Sequence, residues 1–300
     1  MNNEDLQYFL SLKDYSLTQE NFDLYHHKEL DMLVTTPKPT NEELSRFYED
    51  SDYLPHTDSN KSLFDKLYQY VKKNAIANKV SLINSLNTSS KTVLDIGTGT
   101  GDFLLACNNN GWSVTGIEPN CNARILAQEK FLQFSDNESP NIFYDSLKIL
   151  QESHLGNPVK FDVITMWHVL EHVPDVENYI KQLKSLLKPK GTIIVAVPNF
   201  KSYDAFYYGK FWAAFDVPRH LSHFSKKSIN VLFGNEKMEV TKIFPMKMDS
   251  FYVSLLSEKY KTGKMNYFKG FLIGLQSNIK AIISDEYSSH IYVIKHQKSI

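Results

Sequence analysis

The chain of 300 residues predicts an α/β fold built on a doubly wound, mostly parallel sheet. Three observations predict it. A short apolar run, Val93-Leu94-Asp95-Ile96, ends in a glycine-rich turn, Gly97-Thr98-Gly99-Thr100-Gly101, and a helix-like apolar pattern follows. A second apolar stretch, residues 112–117, ends at an acid, Glu118. Beyond it, strand-like and helix-like segments alternate, as parallel strands joined by right-handed crossovers require.

Taken in order, residues 1–60 read as a separate extension. Residues 15–28 fit a short hairpin, and 30–35 an extended segment stopped by Pro37 and Pro39. Thr40-Asn41-Glu42-Glu43 opens a helix running to about Glu49. Leu63, Leu67, Tyr70, Val71, Ile76, Val80 and Ile83 recur at helical spacing, predicting one or two lead-in helices. Strand 92–96 then precedes helix 102–110, and strand 113–117 precedes helix 121–131. A short strand at 141–144, strand 161–166, helix 176–187 and strand 192–197 follow, with Lys188-Pro189-Lys190-Gly191 as a turn. Ser225 caps a helix to Phe233, with Gly234 beyond its end. Residues 239–244 and 290–296 are the last two strands.

The glycine turn is the place where such a sheet takes a nucleotide-like ligand. A dinucleotide fingerprint, Gly-x-Gly-x-x-Gly, seats a pyrophosphate on a helix N-terminus. Here the pattern is Asp-x-Gly-x-Gly-x-Gly. A carboxylate at Asp95 repels an anion and favours a ligand with a cationic ammonium, such as the methionine tail of S-adenosylmethionine. Glu118, about 20 residues past the turn, suits a ribose diol, although an acid there could also be an ordinary loop residue.

Bulk properties exclude several classes. With 33 Lys and Arg against 34 Asp and Glu, there is no electrostatic case for nucleic acid. No apolar run approaches the ~18 residues of a membrane span, so no integral membrane contact is expected. The start, Met-Asn-Asn-Glu-Asp, lacks the features of a signal peptide. Cys107 and Cys121 read as buried or half-buried free thiols of a reducing cytoplasm.

These residues resemble class I S-adenosylmethionine-dependent methyltransferases, and within them the small-molecule branch of polyprenyl-phenol (ubiquinone-type) O-methyltransferases. The resemblance runs from about residue 60 to the C-terminus. Residues 161–173, 191–199 and the run Tyr207-Tyr208-Gly209-Lys210-Phe211-Trp212-Ala213-Ala214-Phe215-Asp216-Val217-Pro218-Arg219-His220-Leu221-Ser222-His223-Phe224 also carry it. It implies a Rossmann-like, seven-stranded sheet with an antiparallel last strand, a helical N-terminal lead-in and an inserted cap. The expected domain is 61–300, with cap segments at about 200–224 and 249–284. It implies S-adenosylmethionine as cofactor and a small-molecule acceptor, methylated on oxygen. Relatives often carry cysteine pairs in the N-terminal region. This chain has none there, so no zinc site is expected and His26 and His27 read as solvated.

The expected cofactor-binding residues are Asp95, Gly97, Thr98, Gly99, Gly101, Phe103, Glu118, Pro119, Asp145, Ser146, Met166, Trp167 and His168. The resemblance implies an adenine contact at Asp145, while Asp145 or Ser146 also fits a helix N-cap. The expected catalytic set is His168, Glu171, His172, Asp216 and His220. In a helical turn His168, Glu171 and His172 share a face. They could supply a general base, hold a divalent metal, or brace the loops under the pocket. Relatives have Glu-x-x-Glu-His here, associated with a divalent ion. This chain has His168 in the first slot, and no metal is expected.

The 207–224 run reads either as an acceptor-side wall with Asp216, Arg219, His220 and His223 as polar handles, or as an aromatic mini-core held by an Asp216–Arg219 pair. Residues 265–283 place Phe268, Phe271, Leu272, Leu275, Ile279 and Ile282 at helical spacing. That helix is expected to pack on the body; a lid or a membrane-surface contact are the alternatives. Two other classes remain open at this stage: a non-catalytic adenosyl-ligand binder, and a nicotinamide-dependent oxidoreductase, which the glycine spacing disfavours.

Overall fold

A computed structural model describes residues 5–40, 43, 45–48, 63–86, 88, 90–134 and 142–297. Strands β1 (Leu6–Lys13), β2 (Asn21–His27) and β3 (Met32–Thr36) run antiparallel in sequence order. Helix α1 (Leu63–Asn84) leads into the alternating part. There β4 (Thr92–Ile96), α2 (Asp102–Asn108), β5 (Ser113–Ile117), α3 (Cys121–Phe134), β6 (Phe143–Tyr144) and α4 (Leu147–Ser153) follow one another. Next come β7 (Phe161–Trp167), α5 (Val176–Ser185) and β8 (Leu187–Pro198). The chain ends with α6 (Tyr203–Tyr208), β9 (Ser222–His223), α7 (Lys226–Asn235), β10 (Met238–Pro245), α8 (Asp249–Thr262), α9 (Tyr267–Ser284) and β11 (Ser289–His296).

The main sheet has seven strands in the order β10-β11-β8-β7-β4-β5-β6. β7, β4, β5 and β6 pair in parallel, and β10 with β11 antiparallel. A strand buried on both faces reads as a continuous apolar run, and β8 does over residues 193–197, all of them buried. A second, four-stranded sheet has the order β1-β2-β3-β9.

The chain forms two compact units. One comprises residues 51–167 and 182–194, the other residues 1–50, 168–181 and 195–300. The N-terminal strands therefore belong with the segments that follow β7. In that unit Leu24, Leu33 and Phe47 share a core with Tyr208, Trp212 and Phe215.

Several expectations are corrected. The hairpin is β1–β2, with its turn at residues 14–20, so it begins earlier than residue 15. Of the helix expected at 40–49, a 3-10 turn at Ser45–Phe47 is described, and residues 41, 42, 44, 49 and 50 lie outside the described residues. His27 is buried and its Nδ1 accepts from the Leu30 amide at 3.4 Å, while His26 pairs with Asp31 at 3.0 Å, so neither is simply solvated. Residues 188–191 extend β8 rather than turning, with Lys188 anchored on Asp162 at 2.9 Å. Gly234 lies inside α7, and Cys121 is exposed.

The largest correction concerns α9. It buries Gly270, Ile273, Gly274, Ser277 and Ala281, and exposes the large apolar residues that were expected to pack on the body. The reason is close approach. A Cβ at Gly270 would lie 2.9 Å from the Leu255 Cα, and one at Gly274 2.8 Å from the Phe251 Cα, so only a small-residue face fits against α8.

Candidate functional site

The glycine turn follows β4. Gly97, Gly99 and Gly101 all have φ between 55° and 78°, which a side chain would strain. The Gly97 and Thr98 amides donate to the Ile117 carbonyl at 2.8 and 3.1 Å. The Gly99 amide donates to Glu118 Oε2 at 2.8 Å, and the Asn120 amide to Glu118 Oε1 at 2.9 Å. The acid at the end of β5 is thereby fixed to the turn. Among the described residues a Cβ on Gly99 would meet nothing within 4 Å, so the turn faces open space there. At Gly101 it would stand 3.1 Å from the Ala127 Cβ, which explains the glycine by helix packing.

Asp95 is buried and its Oδ1 accepts from Thr165 Oγ1 at 2.6 Å. Burial pushes its carboxyl up to about 6, with Thr165 and Lys79 opposing. Thr98 and Met166 are buried, and Met166 is in register with Ile96. Phe103 meets Trp167 edge to face at 5.6 Å, and Lys79 Nζ lies 4.3 Å from the Trp167 ring centroid. The Trp167 Nε1 is buried and has no hydrogen-bond partner among the described residues.

Asp145 is exposed at the end of β6 and accepts from Ser146 Oγ at 2.8 Å. Ser146 caps α4, accepting from the Ile149 amide at 3.3 Å. The Glu118 amide donates to the Tyr144 carbonyl at 2.9 Å, which sets Asp145 one strand out from Glu118. Pro119 is exposed, and its carbonyl accepts from Arg124 at 3.2 Å.

A second cluster begins one residue after Trp167. His168 has φ 58°, a left-handed conformation that is costly outside glycine and found where the surroundings enforce it. Its amide donates to the Ala196 carbonyl at 2.9 Å. Its Nδ1 lies 3.4 Å from Glu171 Oε1 and its Nε2 3.2 Å from Asp249 Oδ2. Burial lowers its basicity, but the two carboxylates outweigh it and push the imidazole up to about 10. His168 is therefore a cation at neutral pH, a poor proton acceptor.

Glu171 sits on a 3-10 turn, Leu170–His172, and is 1% exposed. Burial would raise its carboxyl, but the imidazoles of His168, His220 and His172 hold it at about 2. His172 goes the other way: burial and the neighbouring His220 lower it to about 4, so it is neutral. Its Nδ1 lies 3.0 Å from the Arg219 carbonyl and 3.2 Å from the Tyr48 hydroxyl. A carbonyl only accepts, so Nδ1 carries the proton and Nε2 is the acceptor nitrogen of the neutral ring.

His220 donates from Nδ1 to the Ala214 carbonyl at 2.9 Å and meets the His172 ring edge-on at 4.7 Å. His223 is buried against Thr35, whose hydroxyl also donates to the His220 carbonyl at 2.6 Å. Among the described residues, Glu171, His172 and His220 bring ligand atoms within 4.8 Å of one another, the kind of set a divalent cation takes.

Arg219 anchors the loop beneath this cluster. Nε donates to both Asp216 oxygens at 3.0 Å, Nη1 to the Phe47 carbonyl at 3.1 Å, and Nη2 to Asp14 at 2.8 Å. The aromatic mini-core is present around it, with Trp212 and Phe215 fully packed. The sequence did not point to Asp249, Asp14, Tyr48 or Thr35. An acid in the first turn of α8 was the only hint of Asp249, and it is too common to single out.

A family profile described as a methyltransferase domain matches residues 65–242, more than half of the chain. The chain belongs to this methyltransferase family. Similar proteins include the ubiquinone biosynthesis O-methyltransferase of Glaesserella parasuis, 31% identical over 141 residues. That match covers 45% of this chain and 58% of the relative, so the chain spans little more than half of its length. The corresponding enzyme of Aeromonas salmonicida is 28% identical over 192 residues, covering 61% of this chain and 76% of the relative. The magnesium protoporphyrin IX methyltransferase of Synechocystis, solved with bound SAH, has the same fold with a TM-score of 0.51 at 15% identity, over 85% of this chain and 93% of that one.

The part of the chain that matches the family contains the glycine turn, Glu118, Trp167, the histidine cluster and Arg219. Asp14 and Asp249, which pair with Arg219 and His168, lie outside it.

Proposed function

We propose that this protein binds S-adenosylmethionine at the glycine turn and methylates a small-molecule acceptor, on oxygen. The observation that carries the reading is Glu118, held against the turn by the Gly99 and Asn120 amides. Two backbone donors orient this carboxylate, and its remaining lone pairs suit the two hydroxyls of a ribose. The residues present fit the group: among the described residues Gly99 leaves open space beside Glu118, and the buried Trp167 Nε1 is a donor with no partner. When bound, S-adenosylmethionine supplies an electrophilic methyl group on a sulfonium.

Rate enhancement then comes largely from holding the acceptor in line and excluding water. Trp167, in contact with Phe103 and Lys79, is the residue we assign beside the sulfonium. His168, Glu171 and Asp216 brace the acceptor side, and His172 Nε2 and His220 are the groups able to take a proton from an acceptor hydroxyl. The preference for oxygen follows the names of the similar enzymes. Two free cysteines favour a reducing, cytoplasmic setting.

Calorimetric titration with S-adenosylmethionine, S-adenosylhomocysteine and NAD, with Glu118→Ala as control, tests the reading. Micromolar binding of both adenosyl ligands, lost in the variant, is expected. Absence of adenosyl binding, or binding of NAD instead, overturns it.

A further inference from the structure

Helix α9 carries its apolar residues on the wrong side for a packed helix. At 100° per residue, Phe268, Phe271, Leu272, Leu275, Ile279 and Ile282 fall within one arc of about 100°. Each is between 38% and 75% exposed. The opposite face, with Gly270, Gly274, Ser277 and Ala281, is the one buried. The two glycines lock it against α8 at distances that leave no room for a Cβ, so the helix cannot roll to hide its large side chains. Monomeric proteins rarely leave a continuous apolar stripe this long in water.

Charge says what covers it. From Lys259 to Ser284 the chain carries five lysines and no Asp or Glu; Lys269 pairs with the buried Glu258 at 3.3 Å, and Asp285 and Glu286, just past the helix, pair with Lys226, so the surplus positive charge rests on Lys259, Lys261, Lys264 and Lys280. Lys269 and Lys280 border one edge of the stripe, and the other three cluster at the end of α8 and the turn into α9. A second copy meeting this face about a two-fold axis would set lysines against lysines. A surface of anionic headgroups over hydrocarbon complements both features at once.

We infer that α9 is a docking face for an anionic phospholipid bilayer, on which the helix lies in the interface plane with its phenylalanine and isoleucine side chains inserted. Among the described residues no helix is long and apolar enough to cross a membrane, so the contact is peripheral. The inference stands apart from the methyl-transfer reading, since it uses neither the glycine turn nor the histidine cluster.

Co-sedimentation of the full chain with phosphatidylglycerol–phosphatidylcholine vesicles, and with phosphatidylcholine alone, tests it. Binding to the anionic vesicles that weakens with salt is expected. Phe268→Ser with Ile282→Ser, both at exposed positions, should lower partitioning by at least about tenfold at an unchanged unfolding midpoint. Lys259→Gln with Lys264→Gln should lower it by roughly 25-fold, about fivefold per lysine, on anionic vesicles only. No sedimentation with anionic vesicles overturns the inference, as does binding untouched by the paired serine substitutions. So does a dimer in light scattering that those substitutions dissociate, which would assign the face to a second copy.

Discussion

Replacing Arg219 with Met keeps the stem and removes the guanidinium. Two carboxylates lose a partner: Asp14, fully buried, and Asp216, whose side chain is 23% exposed. Removing one member of a buried ion pair costs about 3–5 kcal/mol. The lower end is expected, because Asp14 keeps donors from the Ser16, Leu17 and Thr18 amides and Asp216 can rehydrate. About 3 kcal/mol is a large part of the ~5–15 kcal/mol that separates folded from unfolded chains. The pH dependence carries a sign. Burial raises the Asp14 carboxyl, but Arg219 and Thr18 outweigh it and hold it at about 2, below the ordinary 3.8. A depressed carboxyl contributes stability that is complete above 3.8 and is lost as pH falls through about 2. Without Arg219 the Asp14 carboxyl rises, so the gap between parent and variant should be widest near neutrality and narrow in acid. Urea unfolding at several pH values reads both quantities. A loss below about 1 kcal/mol, or a gap as large in acid as at neutrality, refutes the role given to Arg219.

Gly99→Ala should cost only ~1 kcal/mol of left-handed strain and yet abolish S-adenosylhomocysteine binding, since its Cβ enters the open space; Gly101→Ala should unfold more readily because it also presses on Ala127. Retained binding in the Gly99 variant would sink the placement of the ligand. Asp249→Asn removes one of the two carboxylates that raise His168. The raised histidine contributes stability that is complete below 6.5 and lost as pH rises through about 10, so the variant's deficit should shrink across that range in thermal unfolding. Exhaustive chelation should leave turnover and the unfolding midpoint unchanged, because Glu171 is already charge-matched by His168; a fall in either would assign Glu171, His172 and His220 to a metal.

What could be read from the sequence was local. β4 and β5 begin and end where the apolar runs do, and the Gly99–Glu118 contact joins two adjacent parallel strands. Ser225 was recognisable as a cap because its partner, Ser228, is three residues away. The histidine cluster was half legible: His168, Glu171 and His172 lie within five positions, although His168 stands before the 3-10 turn that holds the other two, and Asp216 and His220 share one loop. Asp14, Tyr48 and Asp249 reach it from across the chain, and Arg219 to Asp14 spans 205 positions. No periodicity encodes a contact at that separation. The pairing of Leu33 with His223, which joins β3 to β9, was hidden for the same reason.

Helix α9 shows a different limit. Its period was read correctly, since the six large apolar residues do share one face. What the period does not contain is which face turns inward. Burying the large face would gain more apolar area, about 25 cal/mol per Å², so area alone argues for the opposite orientation. Backbone approach decides it instead. With Gly270 and Gly274 against Leu255 and Phe251, the backbones of α8 and α9 come closer than a Cβ at either glycine allows, and Phe271 stacks on Phe251 beside that seam at 5.2 Å. Ser250 Oγ then reaches the Gly274 carbonyl at 3.0 Å, and Ser277 Oγ the buried Asp204 at 2.6 Å. Reversing the helix would bring Phe268 and Ile282 inward at the cost of leaving Asp204 without that donor and of prising α8 away. A small, polar, hydrogen-bonded seam has thus been kept on the inside, and the apolar face left outside is free to serve a partner.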